Sequence, residues 1–414
     1  MSTPVRRRKV FYIPGYDPIH PRRYREIYRS EGTAQAEISD YSINLSPKKG
    51  DGLFGWHVEA EIGGEEIRAD FEVLIWADIV RDSMSNSIPA TYLQLARTAW
   101  TYITTGTLRR LMWLRKGPVI AALYPVAFLL GQLLLAVLAV VLLHGLVVWL
   151  TDFLPVLFAA QPAVFSALGW AGGAALFVII LRWFRAIDNK LFAYYLMHDY
   201  AYSAQLQGRN PPELEARLDD FTDIIAEALQ TDVDEVLVVG HSSGAHLAVS
   251  VLADLIRAGR VPEGGPALGF LSLGQVVPMV SFLSKADRLR GDLQYLSTRD
   301  ELAWVDVTAP GDGCAFALCD PVSVSGVAPE GKRWPLVFSA AFTQTLSPER
   351  WNELKRRFFR LHFQYLCAFD RPKDYDYFQI TAGPLTLAER YDGRPASRSR
   401  IDIAASKFTS VLKR

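Results

Sequence analysis

Apolar and polar positions change period several times along this chain of 414 residues. Residues 10–13, VFYI, are β-branched and aromatic and end at Pro14-Gly15. That pattern predicts a buried strand entering a tight loop. Residues 19–37 pattern as a polar helix. WHVEAEI (56–62) and EIRADFEV (66–73) alternate apolar and polar positions around Gly63-Gly64, predicting a β-hairpin with one wet face. Its second arm continues into VLIW (73–76), read as a buried strand, and a helical stretch follows over 89–114. Further on, helical periodicity covers 186–207 and 212–229. EVLVV (235–239) reads as a buried strand, and an alanine- and leucine-rich helix follows over 243–258. Strands are expected near 268–273, 302–308 and 335–339, and a polar helix starts at Ser347 with Pro348 in its first position. Apolar strands alternating with helices predict an α/β fold, a mainly parallel sheet flanked by helices on both faces.

Between Lys116 and Asp152 lie 35 residues without Asp, Glu, Lys or Arg, and between Asp152 and Arg182 another 29. About 20 apolar residues cross the hydrocarbon core as a helix. The pair predicts a transmembrane helical hairpin with spans near 120–149 and 155–182, turning around TDFLP (151–155). The small residues GWAGGAA (169–175) would let the two helices approach closely. His144 and Gln132 are polar interruptions, read as interhelical hydrogen-bonders or interface residues rather than ligands. Arg109, Arg110, Arg115 and Lys116 precede the first span, and Arg182, Arg185 and Lys190 follow the second. By the positive-inside rule both ends face the cytoplasm at the inner membrane. The short apolar run before Pro14, too brief for a signal-peptide core, points the same way. The expected organisation is one domain built from 1–117 and 184–414 and interrupted by a membrane hairpin at 118–183.

Composition adds exclusions. Forty-four basic residues balance 44 acidic ones, which argues against a nucleic-acid partner. Cys314, Cys319 and Cys367 are few, odd in number and without metal-ligand spacing. They suit a reducing compartment, and neither a metal nor a cofactor is expected.

The chemistry centres on VLVVGHSSGAHLA (237–249), where Gly240, Ser242 and Gly244 stand in G-x-S-x-G spacing between a predicted strand and a predicted helix. A serine on such a turn is in strained backbone geometry and needs small neighbours. The N–H of Ser243 would then lie at a helix N-terminus, where it stabilises an oxyanion. At GHSSGA the sequence resembles the α/β-hydrolase superfamily. The resemblance implies a triad in chain order Ser, acid, His. Of seven histidines only His246 and His362 follow Ser242, and His246 is too close to leave room for an acid between. His362 is therefore the expected base. For the acid, Asp312 in the Pro-Gly-Asp-Gly loop after strand 302–308 is preferred, with Asp306 and Asp320 as alternatives. The pattern Pro310-x-Asp312, Phe316, Asp320-Pro321 also resembles the acid loop of intracellular DDHD-type phospholipases. The second oxyanion donor is assigned to the N–H of Tyr16, beside Gly15. Two departures from the family are visible. The strands that usually precede the oxyanion loop are missing or replaced by the hairpin at 56–73, and His362 lies in a stretch that patterns as helix.

These features lead to the expectation of a membrane-anchored serine esterase or lipase acting on acyl esters, with the lipid bilayer as its partner. An acyltransferase using the same triad and a non-catalytic membrane scaffold keeping the fold are the alternatives. The aromatic-rich stretch 189–205 is read either as an interfacial acyl-binding mouth or as a core helix.

Overall fold

The computed structural model describes residues 4–50, 52–84, 87–153 and 162–412. They fall into two compact units, one formed by residues 1–82, 101–119 and 206–414 and the other by 83–100 and 120–205.

The first unit is built on one eight-stranded sheet: β1 (Arg7–Ile13), β2 (Ser42–Pro47), β3 (Gly55–Ile62), β4 (Glu65–Val73), β5 (Glu235–His241), β6 (Ala267–Leu273), β7 (Ala303–Thr308) and β8 (Leu336–Ser339). Its order is β2-β3-β4-β1-β5-β6-β7-β8. Strands β4, β1, β5, β6, β7 and β8 run parallel, and β2 and β3 are antiparallel additions at one edge. The hairpin of alternating residues thus lies in the sheet on the flank of β1. Its inward positions Val58, Ala60, Ile67, Ala69 and Phe71 are buried, with Glu59, Glu61, Arg68 and Asp70 outward. Every residue of β5 and β7 is buried, as strands covered on both faces require.

Helices α1 (Arg22–Ser39), α2 (Ile88–Thr104), α3 (Thr107–Leu114), α4 (Lys116–Phe153), α5 (Pro162–Ala186), α6 (Ala193–Gln205), α7 (Pro212–Ala228), α8 (Gly244–Arg257), α9 (Asp287–Leu296), α10 (Pro348–Leu354) and α11 (Phe358–His362) carry most of the rest. Helix α8 buries nearly its whole length, and Ser347 caps α10 by accepting from the Arg350 N–H. Three expectations need correction. The β4 strand ends at Val73 rather than Trp76, because the Trp76 indole turns to donate to the Pro14 carbonyl at 2.9 Å. The helical stretch 89–114 is two helices, broken at Gly106 with φ of 74°, a left-handed conformation that glycine adopts without strain. Edge strand β2 has no counterpart in the sequence reading, since only Ile43 and Leu45 alternate in it and both are half-exposed.

Helix α4, whose first turn to Val119 belongs to the first unit and the rest to the second, and helix α5 of the second unit include segments of 36 and 24 residues, long and apolar enough to cross a bilayer. Of the expected turn at 151–155, Thr151–Phe153 continue α4, and its remainder and the start of the second span, 154–161, lie outside the described residues. Where the helices are described, the small-residue run is the point of close approach. A Cβ on Gly173 would sit 2.7 Å from Val140 Cγ1, and one on Gly169 would sit 3.2 Å from His144 Cδ2. His144 Nε2 shares a hydrogen bond with Ser166 Oγ at 3.2 Å, and Tyr194 donates to Gln132 Oε1 at 3.3 Å. Both polar interruptions therefore bond between helices. Within 189–205, α6 buries Tyr194, Met197 and Ala201 against Leu95 of α2 and Leu129 of α4.

Candidate active site

Strand β1 has β4 on one side and β5 on the other. A crevice opens at such a reversal, outside the carboxyl ends of the strands. Three loops meet there. The first, Pro14–Tyr16, leaves β1. A Cβ on Gly15 would lie 3.0 Å from Ser242 Cβ and 3.4 Å from its Oγ, so only glycine lets this loop reach the serine.

The second is the turn after β5. Ser242 has φ of 57°, a left-handed conformation costing about 1–3 kcal/mol in a residue with a Cβ. The turn is held by Ser242 N–H donating to Leu273 O at 2.9 Å and Ala245 N–H to Ser242 O at 3.2 Å. Small flanking residues are obligatory. A Cβ on Gly240 would lie 2.8 Å from Ala245 Cα, and one on Gly244 would lie 2.1 Å from Ile13 O. Ser243 opens α8, whose first N–H groups lack partners within the helix. The Tyr16 N–H donates to Ser243 Oγ at 3.3 Å, so both expected oxyanion donors flank Ser242. Among the described residues Ser242 Oγ has no hydrogen-bond partner, and the structure leaves the link to His362 open. Such links often tighten only when substrate is bound.

The third element joins the loop after β7 to α11. Asp312 Oδ2 accepts from His362 Nδ1 at 2.8 Å and from the Tyr365 hydroxyl at 3.0 Å, while Oδ1 accepts from the Cys314 N–H at 2.9 Å. Asp312 is 2% exposed and His362 6%. Burial alone would push the Asp312 carboxyl up, but the charge interaction with His362 and the hydrogen bonds from His362, Cys314 and Tyr365 outweigh it and hold the group below its usual range. His362 is the last residue of a five-residue helix, so the helical pattern around it is real and the side chain sits at the helix end. Gly274, at φ of 53°, leaves room for it: a Cβ there would lie 3.1 Å from His362 Cε1.

The alternative acids stand elsewhere. Asp320 caps a short helix by accepting from Val322 and Ser323 N–H, and pairs with Lys332, as a turn residue does. Asp306 lies inside β7, hydrogen-bonded to Ser272. Burial pushes its carboxyl up to about 8, against the pull of Ser272. The folded state keeps this proton up to about pH 8, whereas the unfolded chain loses it near pH 4. The stability gained from the neutral form is complete below about pH 4 and erodes by up to about 1.4 kcal/mol per pH unit towards pH 8. Asp306→Asn, which carries no proton to lose, is expected to flatten that slope. Its gain in melting temperature over the parent should be larger at pH 8 than at pH 4.5, and equal gains at both would contradict the assignment.

Two residues absent from the sequence reading support the Asp312–His362 pair. Tyr365 donates to Asp312 and accepts the Ala309 N–H at 2.9 Å, fixing both ends of the acid loop. His241 Nε2–H donates to the His362 carbonyl at 3.0 Å. Burial, and then His362, lower the His241 pKa to about 3, so it stays neutral. Spacing gave a partial signal, since Tyr365 lies three residues after His362 and His241 adjoins Ser242. Tyr365→Phe strands a buried N–H, which costs about 1–3 kcal/mol. It is also expected to lower kcat several-fold and move the acidic limb of the kcat/KM profile to higher pH. A loss of stability with an unmoved limb would reduce Tyr365 to a packing role. His246 is buried in α8, away from any acid partner, and burial lowers its pKa to about 4. Asp312, Cys314 and His362 hold their donor atoms within 4.8 Å of one another. A metal there would have to displace the Asp312–His362 hydrogen bond.

The acid loop also touches the start of α4. Arg115 Nε donates to Ala317 O at 2.8 Å, and a Cβ on Gly117 would lie 3.4 Å from Gly313 O. A cavity of about 360 Å³ lies there between Trp113, Lys116, Pro310 and Asp312.

A sheet of this order, with a serine elbow after one strand and a buried Asp–His pair after later ones, defines an α/β-hydrolase fold. Comparison with protein families matches residues 140–397 to the alpha/beta hydrolase family, and the chain belongs to that family. The family supports hydrolytic or acyl-transfer activity. No curated protein and no solved structure matches the chain.

Proposed function

We propose that the chain is a membrane-anchored serine hydrolase that cleaves acyl esters through Ser242, His362 and Asp312. The observation that carries this reading is the buried 2.8 Å Asp312–His362 bond at the same strand ends as a serine held at positive φ. His362, its Nδ1–H engaged by Asp312, takes the Ser242 proton on Nε2. Ser242 Oγ then attacks the acyl carbonyl, and the N–H groups of Ser243 and Tyr16 hold the oxyanion. Tyr16 N–H exchanges its weak bond to Ser243 Oγ for the oxyanion. Collapse expels the alcohol with the proton from His362, and water, deprotonated by the same imidazole, releases the acid.

Substrates that partition into lipid are supported by the two long apolar helices and by the contact of the acid loop with the first turn of α4. In this reading both soluble segments face the cytoplasm, and an external C-terminal reporter would contradict that topology. A p-nitrophenyl ester series in detergent tests substrate class. Rising kcat/KM with chain length is expected, whereas preference for acetyl counts against a lipid substrate. An added acceptor alcohol that captures most of the acyl group would move the reading to acyl transfer.

A further inference from the structure

Helix α3 joins the hydrolase unit to the start of α4 and carries a cleft that the proposed chemistry does not use. The helix is docked from below. Leu111 and Leu114 are buried, Thr107 Oγ1 donates to Phe282 O at 3.0 Å, and Arg110 donates to Ala405 O at 2.9 Å. Its outer face borders a cleft of about 620 Å³, shared with the C-terminal segment around Lys407. Arg109, Arg110 and Lys407 line it with Trp113 and Ile103, and no carboxylate does. Among the described residues none of the three cations forms a salt bridge. The two apolar side chains are 66% and 61% exposed.

Three cations without a carboxylate partner among the described residues, around an open cleft, present the chemistry that takes a phosphate. The exposed tryptophan and isoleucine on the same wall favour a phosphate attached to an apolar body over a free one. Position argues likewise. Trp113 stands three residues before Lys116, where α4 begins, so the cleft falls at headgroup depth if α4 enters a bilayer. Basic residues there are drawn to anionic lipid. We infer that the cleft between α3 and the C-terminal segment binds the phosphate headgroup of an anionic phospholipid. The inference rests on the reading of α4 as a membrane span. Bound there, the lipid would clamp the juxtamembrane helix to the tail of the hydrolase unit.

The test uses the full chain in a neutral detergent, titrated with dihexanoylphosphatidylglycerol, dihexanoylphosphatidylcholine and inorganic phosphate. Saturable binding of the phosphatidylglycerol is expected, with phosphatidylcholine much weaker. The double variant Arg109→Gln/Lys407→Gln should bind about tenfold or more weakly, each cation near an anionic surface being worth about fivefold. Unchanged turnover of a soluble short-chain ester shows that the variant is folded. Equal affinity in parent and variant overturns the cleft as the site. Inorganic phosphate that displaces the lipid at equal concentration overturns the lipid and assigns a soluble phosphate. Carbonate extraction of native membranes separates the two readings. Retention in the pellet supports the span, and release sinks it, together with a leaflet as the source of the headgroup.

Discussion

Ser242→Ala is expected to lower ester turnover by about 10⁶-fold while leaving the fold unchanged. The size is that expected of the proposed Ser242–His362–Asp312 triad acting as a unit, in which removal of the nucleophile alone costs nearly as much as removal of all three members. The unchanged fold follows from backbone geometry. Serine and alanine both carry a Cβ and meet the same penalty at φ of 57°. No hydrogen bond is lost, because Ser242 Oγ makes none among the described residues. Kinetics at saturating ester, with melting temperatures measured alongside, check both halves. A variant retaining a tenth of the activity would remove Ser242 from the chemistry.

Asp312→Asn should cost about 10⁴-fold in kcat, for a reason the hydrogen bonds make specific. The Cys314 N–H donates to Asp312 Oδ1, so an asparagine would place its carbonyl there and turn its NH₂ towards His362. Nδ1 of His362 would then have to accept, which puts the ring proton on Nε2, where the Ser242 proton must go. Tyr365 can reverse its hydroxyl to accept from the amide, so the fold survives. Asp320→Asn and Asp306→Asn should leave kcat within about a factor of three, since neither carboxylate lies against His362. A large loss in either would reassign the acid.

The elbow was legible in the sequence because it is local. Four apolar residues, G-x-S-x-G and a helix follow one another without a break over 236–257, and each constrains the next. The pairing of Asp312 with His362 was legible through the chain order that the family resemblance implies and the place of Asp312 in a Pro-Gly-Asp-Gly loop beyond an apolar strand. Residues whose roles depend on distant partners were not. Tyr365 reads as one more core aromatic until the loop at Ala309 returns to its hydroxyl. Arg8 reads as part of a basic N-terminus, yet it is 1% exposed. It pairs with Glu235 on the neighbouring strand at 2.6 Å and donates to Gly383 and Leu385 carbonyls. Strand order was hidden too. The hairpin's alternation gives its wet face, but nothing local says that β4 runs parallel to β1.

The most direct measurement is mass-spectrometric mapping of the adduct left by a fluorophosphonate on the detergent-solubilised full chain. The account predicts a single stoichiometric adduct on Ser242, slowed by Asp312→Asn and absent in Ser242→Ala. Labelling that persists in Ser242→Ala, or folded protein that takes no label at Ser242, would contradict it.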